Sequence, residues 1–102
     1  PTGRNIHIVI LRCKSAGHAE QCLEALQNYG RPDALGYGCQ SYEFGRRADD
    51  DTSVILLERW ADFAALDRLL TEKVVPALPV YNALLARDFD PGQDTTRITL
   101  QG

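Results

Sequence analysis

Tyr37-Gly38-Cys39-Gln40-Ser41-Tyr42-Glu43-Phe44, followed after a polar connection by Val54-Ile55-Leu56-Leu57-Glu58-Arg59-Trp60, is the stretch that decides how this chain folds. Both runs are rich in aromatic and β-branched residues, which suit a pleated surface, so together they read as a β-hairpin. Gly36 and Gly38 within the first strand-like run suggest a bulge or a close approach to the backbone. The connection, Arg46-Arg47-Ala48-Asp49-Asp50-Asp51-Thr52, reads as a solvated tip. The second run ends on an acid, a base and the only tryptophan of the chain.

Outward from the hairpin, Ile6-His7-Ile8-Val9-Ile10-Leu11 is short and β-branched and reads as a strand that His7 interrupts. It is apolar on both parities, as is Val54 to Trp60, whereas a half-buried strand alternates. Ser15 can cap a helix whose Ala19, Cys22, Leu23 and Leu26 share one face. This helix is expected to end near Gly30, because Pro32 cannot continue it. Asp62 can cap a second helical region with the stripe Phe63, Leu66, Leu69 and Leu70, and Pro76 and Pro79 divide that region into pieces at about 61–72 and 76–86. Asp90-Pro91-Gly92-Gln93-Asp94 is a turn, and Thr95-Thr96-Arg97-Ile98-Thr99-Leu100 is a final strand.

The order strand, helix, strand, strand, helix, strand is the split βαβ pattern of an α+β, ferredoxin-like fold: a four-stranded antiparallel sheet with helices on one face. At 102 residues the chain is expected to be a single domain, 1–102. Helices on one face leave the other bare, and strands that are apolar on both sides predict a homodimer through that sheet face. A net charge of −3 carries no footprint for nucleic acid or an anionic membrane. Three widely spaced cysteines, Cys13, Cys22 and Cys39, fit neither a disulfide framework nor a metal site. They read as buried apolar residues of a reducing compartment. No run is long enough to span a membrane and the start shows no charged-then-apolar leader, so the expected location is cytoplasmic.

The G-C-x-x-Y-x-F-like strand at Gly38–Phe44, the aliphatic strand ending Glu58-Arg59-Trp60 and the helix opening Ala64-Ala65-Leu66-Asp67 resemble the antibiotic biosynthesis monooxygenase family of dimeric α/β barrels. The resemblance implies oxygenation of an aromatic, polyketide-type quinol or anthrone by dioxygen without metal or cofactor. Relatives degrade haem, isomerise or cyclise small molecules, or have no known activity. Many members carry a histidine where this chain has Leu69, and the anthrone-oxidising members an asparagine where it has Leu56. Both losses remove polar groups, and the first argues against haem degradation.

Period two places Val54, Leu56, Glu58 and Trp60 on one face and Ile55, Leu57 and Arg59 on the other. The resemblance implies that the tryptophan face looks into a cavity beneath the helices. Glu58 and His7 are the catalytic candidates there. A carboxylate among apolar side chains has to be paired or made more basic, so it serves as a general base or as half of a structural ion pair with a neighbouring arginine. A lone histidine in a strand is more often a hydrogen-bonded structural residue, yet the intrinsic basicity of His7 suits proton abstraction. Trp60, Tyr42, Phe44, Leu56, Phe63, Leu66 and Leu69 are the candidate substrate contacts; Trp60 is equally read as a plain core residue, and Tyr42 and Phe44 line the cavity or pack at the dimer seam, depending on which parity faces the helices. Arg59 is assigned to the dimer side, and His18, Arg87, Asp88 and Asp90 to solvated surface. No Ser-His-Asp set, phosphate-cradling loop or dinucleotide fingerprint is present, in keeping with cofactor-free chemistry. The alternatives are an isomerase or cyclase on the same barrel, or a non-catalytic small-molecule-binding module whose pocket Leu56 and Leu69 have closed.

Overall fold

In the computed structural model, which describes residues 2–102 and leaves Pro1 outside the described residues, β1 (Asn5–Arg12), β2 (Ser41–Arg47), β3 (Asp50–Trp60) and β4 (Thr95–Thr99) form one antiparallel sheet in the order β2-β3-β1-β4. This is the expected ferredoxin-like arrangement, with helices packed on one face. That face carries His7, Val9 and Leu11 of β1, Tyr42 of β2 and Val54, Leu56, Glu58 and Trp60 of β3, all of them buried. The other parity is open: Ile6, Ile8, Ile10 and Ile55 are half-buried, and Leu57 and Ile98 are exposed.

The hairpin differs from its sequence reading at both ends. Residues 37–40 belong to the connection into β2 and not to the strand, because Tyr37 closes a helix and Gly38 takes a left-handed φ of 103° that turns the chain. The expected bulge between Gly36 and Gly38 is therefore a helix exit. At the far end β3 already begins at Asp50, where the register shifts between Arg46 and Arg47. Asp50 accepts hydrogen bonds from the Thr52 amide and the Thr52 and Ser53 hydroxyls, which hold its carboxyl down to about 2. Much of the supposed wet tip is thus ordered strand.

Pro32 and Pro79 behave differently from expectation, while Pro76 stands in the first turn of a helix as expected. Ser15 caps α1 (Ala16–Ala25) as expected, but the helix does not stop at Gly30. It widens into a π-turn (Leu26–Gly30) and continues as α2 (Arg31–Gly36). Asp62 caps α3 (Phe63–Leu69), which widens at Leu70–Val74 and continues as α4 (Val75–Asn82), with Pro79 inside it. The physical reason is shared. The Arg31 amide reaches back to the Leu26 carbonyl, and the Val75 amide to that of Leu70. Each five-residue reach falls immediately before a proline, so the wide turn accommodates the residue that has no amide hydrogen to give. A short α5 (Pro91–Asp94), capped by Asp90, leads into β4.

Candidate active site

β-Sheet register puts the polar residues of the helix-side face in one row. Tyr42 lies opposite Glu58, Glu58 opposite His7, and His7 opposite Arg97. Within that row His7 Nδ1 is 2.8 Å from Glu58 Oε1, and both residues are buried, at 3% and 5% exposure. The partner of Glu58 is therefore a histidine and not an arginine. Trp60 follows Glu58 by two residues on the same face and donates its indole Nε1–H to the same Oε1 at 3.1 Å. Arg97 turns away to Asp67 and stacks over Phe63.

A cavity of about 550 Å³ lies between the sheet and the helices, with His7 and Glu58 in its lining. That volume falls in the range that encloses a drug-sized ligand. Val9, Leu11 and Leu56 form its floor, with Tyr42 beside them. The two π-turns flank it: Leu26, Tyr29 and Gly30 on one side, Leu70, Lys73 and Val74 on the other. Gly30 leaves room for the Tyr42 hydroxyl, since a Cβ there would force one of the two to shift. Burial, and then the charge of Glu58, push the Tyr42 phenol well above the usual tyrosine range. Burial, with Cys22 and Asp33 nearby, raises Tyr81 to about 12. Both phenols are therefore neutral donors near neutral pH. A buried imidazole–carboxylate pair facing an apolar, ligand-sized space can take a proton from a weak acid, and a neutral phenol there can hold the resulting oxyanion.

Of the sequence candidates, His7, Glu58, Tyr42, Leu56 and Leu69 line the cavity. Four do not. Trp60 and Leu66 are fully buried behind it, Phe63 lies under Arg97, and Phe44 packs edge-on against Tyr42 beside Arg31. The open question of parity on β2 resolves toward the helices, since Tyr42 is buried on that side. A closed pocket is not what Leu56 and Leu69 produce, because the cavity is open and contains both His7 and Glu58.

Sequence reasoning missed the wall made by Val74, Ala77, Leu78 and Tyr81. Their spacing is i, i+3, i+4, i+7, a helical face that the two prolines disguised. It also missed Asp94, which is buried and bonded to Arg12, Arg87 and the Asp90 amide. Burial pushes its carboxyl up, but these partners outweigh burial and hold it below the usual range. Arg87 is exposed as expected and also takes part in that tie. Arg59, on the outer parity, bonds the Gly3 carbonyl within its own chain. Among the described residues no group of three or more His, Cys, Asp or Glu side chains is arranged to hold a metal ion.

Fold and site together define a small ferredoxin-like domain with a ligand-sized cavity between sheet and helices. The chain belongs to the antibiotic biosynthesis monooxygenase family, which matches residues 6–73. Among solved structures it is similar to a Streptomyces coelicolor monooxygenase in complex with the ligand nanaomycin D, at 14% identity and a TM-score of 0.77, over 99% of this chain and 89% of that one. An antibiotic biosynthesis monooxygenase structure from Deinococcus radiodurans also has a TM-score of 0.77, at 19% identity over 96% and 93% of the two chains. A Mycobacterium tuberculosis protein has 22% identity and a TM-score of 0.72, over 96% and 95%. At these identities the structures speak for the fold. Among curated proteins none matches the sequence. Family membership supports a general monooxygenase-type function. No helix among the described residues is long and apolar enough to cross a membrane.

Proposed function

We propose that this chain, as a single domain spanning 1–102, is a cofactor-independent monooxygenase acting on a small aromatic quinol or anthrone. The observation that carries the reading is the buried His7–Glu58 pair, 2.8 Å apart, in the lining of an apolar cavity of about 550 Å³. The pair removes one proton from the substrate, and the electron-rich anion then passes one electron to dioxygen. Recombination of the two radicals forms a carbon-bound peroxide, which collapses with loss of water. For an anthrone the sum is a CH2 group plus O2 giving a C=O group plus H2O, so the substrate supplies all four electrons. The protein contributes orientation, a dry cavity and the proton acceptor. Leu56, Leu69 and Tyr42 contact the substrate, while Trp60, Phe44, Phe63 and Leu66 shape the wall from behind or beside it.

The functional unit is a homodimer in which a second copy covers Ile8, Ile10, Ile55 and Leu57 on the outer sheet face. Exposed Leu57 and Ile98 favour that reading. Three free thiols suit the reducing cytoplasm. The test is incubation of the purified protein with a panel of quinols and anthrones under labelled dioxygen. Gain of one labelled oxygen atom by a substrate supports the activity, and no gain across the panel removes it. The neutral Tyr42 phenol beside the pair favours a second reading, an isomerase or cyclase in which the anion is reprotonated at another atom. That activity would proceed without oxygen uptake.

A further inference from the structure

Donor and acceptor roles in the His7–Glu58–Trp60 cluster are more constrained than in a simple pair. Glu58 Oε1 faces two nitrogens, His7 Nδ1 at 2.8 Å and Trp60 Nε1 at 3.1 Å. The indole nitrogen can only donate. If Oε1 were the hydroxyl oxygen of a neutral acid giving its hydrogen to Nδ1, the indole hydrogen would meet the weaker acceptor of the carboxyl group. A bare carboxylate oxygen takes both hydrogens, one on each lone pair. Nδ1 then carries the imidazole hydrogen, and the lone pair sits on Nε2. That nitrogen has no hydrogen-bond partner among the described residues. It is not a buried orphan either, since none exists there, and His7 lines the cavity.

The rival acceptor is Glu58 Oε2. Two hydrogen bonds already spread the charge of that carboxylate, and a proton placed on it would weaken its hold on the imidazole. Trp60 touches neither the cavity nor solvent, so its one polar side-chain atom serves Glu58 alone.

We propose that His7 accepts the substrate proton through Nε2, that Glu58 orients and charge-balances it, and that Trp60 is a positioning residue that holds Glu58 for this task. The assignment rests on the cavity being a site of deprotonation. In the step itself an O–H or C–H proton of the substrate moves to Nε2 and the bonding pair stays on the substrate as an anion. The imidazolium keeps its Nδ1–H directed at Glu58, so no charge is left unpaired in the buried row.

The test reads the tautomer directly and needs no substrate. The chain has two histidines, so long-range nitrogen–proton NMR of 15N-labelled protein is assignable with a His7→Gln variant. His7 in the wild type is expected to show a protonated Nδ1 and a bare Nε2, the reverse of free neutral imidazole. Glu58→Gln, whose amide can donate to Nδ1, is expected to move the hydrogen to Nε2. Trp60→Phe, which removes the indole donor and leaves a smaller aromatic ring in its place, is expected to shift the His7 nitrogens while those of His18 stay in place. A wild-type His7 protonated on Nε2 overturns the proposal whether or not either variant folds. Folded Trp60→Phe with unmoved His7 nitrogens overturns the role of Trp60. With a turned-over quinol, Trp60→Phe should lower kcat about tenfold, the lower end of what loss of an outer partner costs a metal-bound imidazole, and leave KM unchanged. A raised KM at constant kcat would instead make Trp60 a substrate wall. Absence of turnover in the wild type would remove the oxygenase reading and leave the tautomer result standing.

Discussion

The two faces of β3 carry comparable side chains and meet different surroundings. Val54, Leu56, Glu58 and Trp60 are buried beneath the helices, whereas Leu57, one residue from both Leu56 and Glu58, is 45% exposed. One strand therefore supplies both the floor of a cavity and an apolar surface with nothing of its own chain over it. The imidazole–carboxylate pair lies on the covered face, where its hydrogen bond gains strength because water is excluded. The outer face of the strand carries Ile55, Leu57 and Arg59, and it is the face on which the proposed dimer would close.

Truncating one residue on each face should separate the two most. Trp60→Ala should cost about 3–5 kcal/mol of stability, as removal of a fully buried large aromatic does. Leu57→Ala should cost under about 1 kcal/mol when the protein is dilute enough to be monomeric. Denaturant unfolding of both variants measures the contrast, and equal costs would erase it. Next in size is the chemistry: with a substrate that the wild type oxidises, His7→Phe should slow oxygen consumption about 10²–10⁴-fold. Retained activity would move the proton acceptor elsewhere.

The outer face is tested by Ile8→Asp combined with Leu57→Asp. Like charges facing across a twofold contact should raise the dimer Kd roughly a hundredfold or more. Sedimentation at micromolar concentration would show a monomer with intact helix content. An unchanged wild-type-like mass, or a wild type that is itself monomeric, would end the sheet-face dimer.

A smaller effect is expected away from both faces, at Asp94. Its folded-state carboxyl titrates below its unfolded value. The stability it contributes is thus present above the unfolded value and lost as pH falls through the folded one. Asp94→Asn should cost about 1–3 kcal/mol near neutral pH, and the gap from wild type should narrow on acidification. A gap that widens toward low pH would contradict the sign. Smallest of all, Arg46→Ala breaks an exposed pair with Glu20 and should change stability by at most about 0.5 kcal/mol.

Legibility of the sequence tracked the range of the interactions. Period two in Val54 to Trp60 sorted the strand faces correctly, because side chains on a strand must alternate. Ser15 and Asp62 were readable as caps because capping is local. Pro76 stands in the first turn of a new helical piece as read, whereas Pro32 misled, since a proline rule written for regular helices does not foresee a five-residue reach one position earlier. The wall from Val74 to Tyr81 was hidden for the same reason. Trp60 was readable as cavity wall or as core residue, and tertiary packing decides for the second, with Trp60 fully buried in the same core cluster as Leu66.

The sequence by itself determined the order of elements, the inward parity of β3 and the presence of an acid and an imidazole on strands destined for one sheet. Those are consequences of nearest-neighbour geometry along the chain. Only tertiary structure decided that His7 and Glu58 stand opposite each other, that Trp60 spends its indole hydrogen on the same oxygen, and that a cavity remains in front of them. Fifty-one positions separate His7 from Glu58, and their meeting depends on the antiparallel register of β1 against β3. A shift of one residue in that register would turn one of the two to the opposite face.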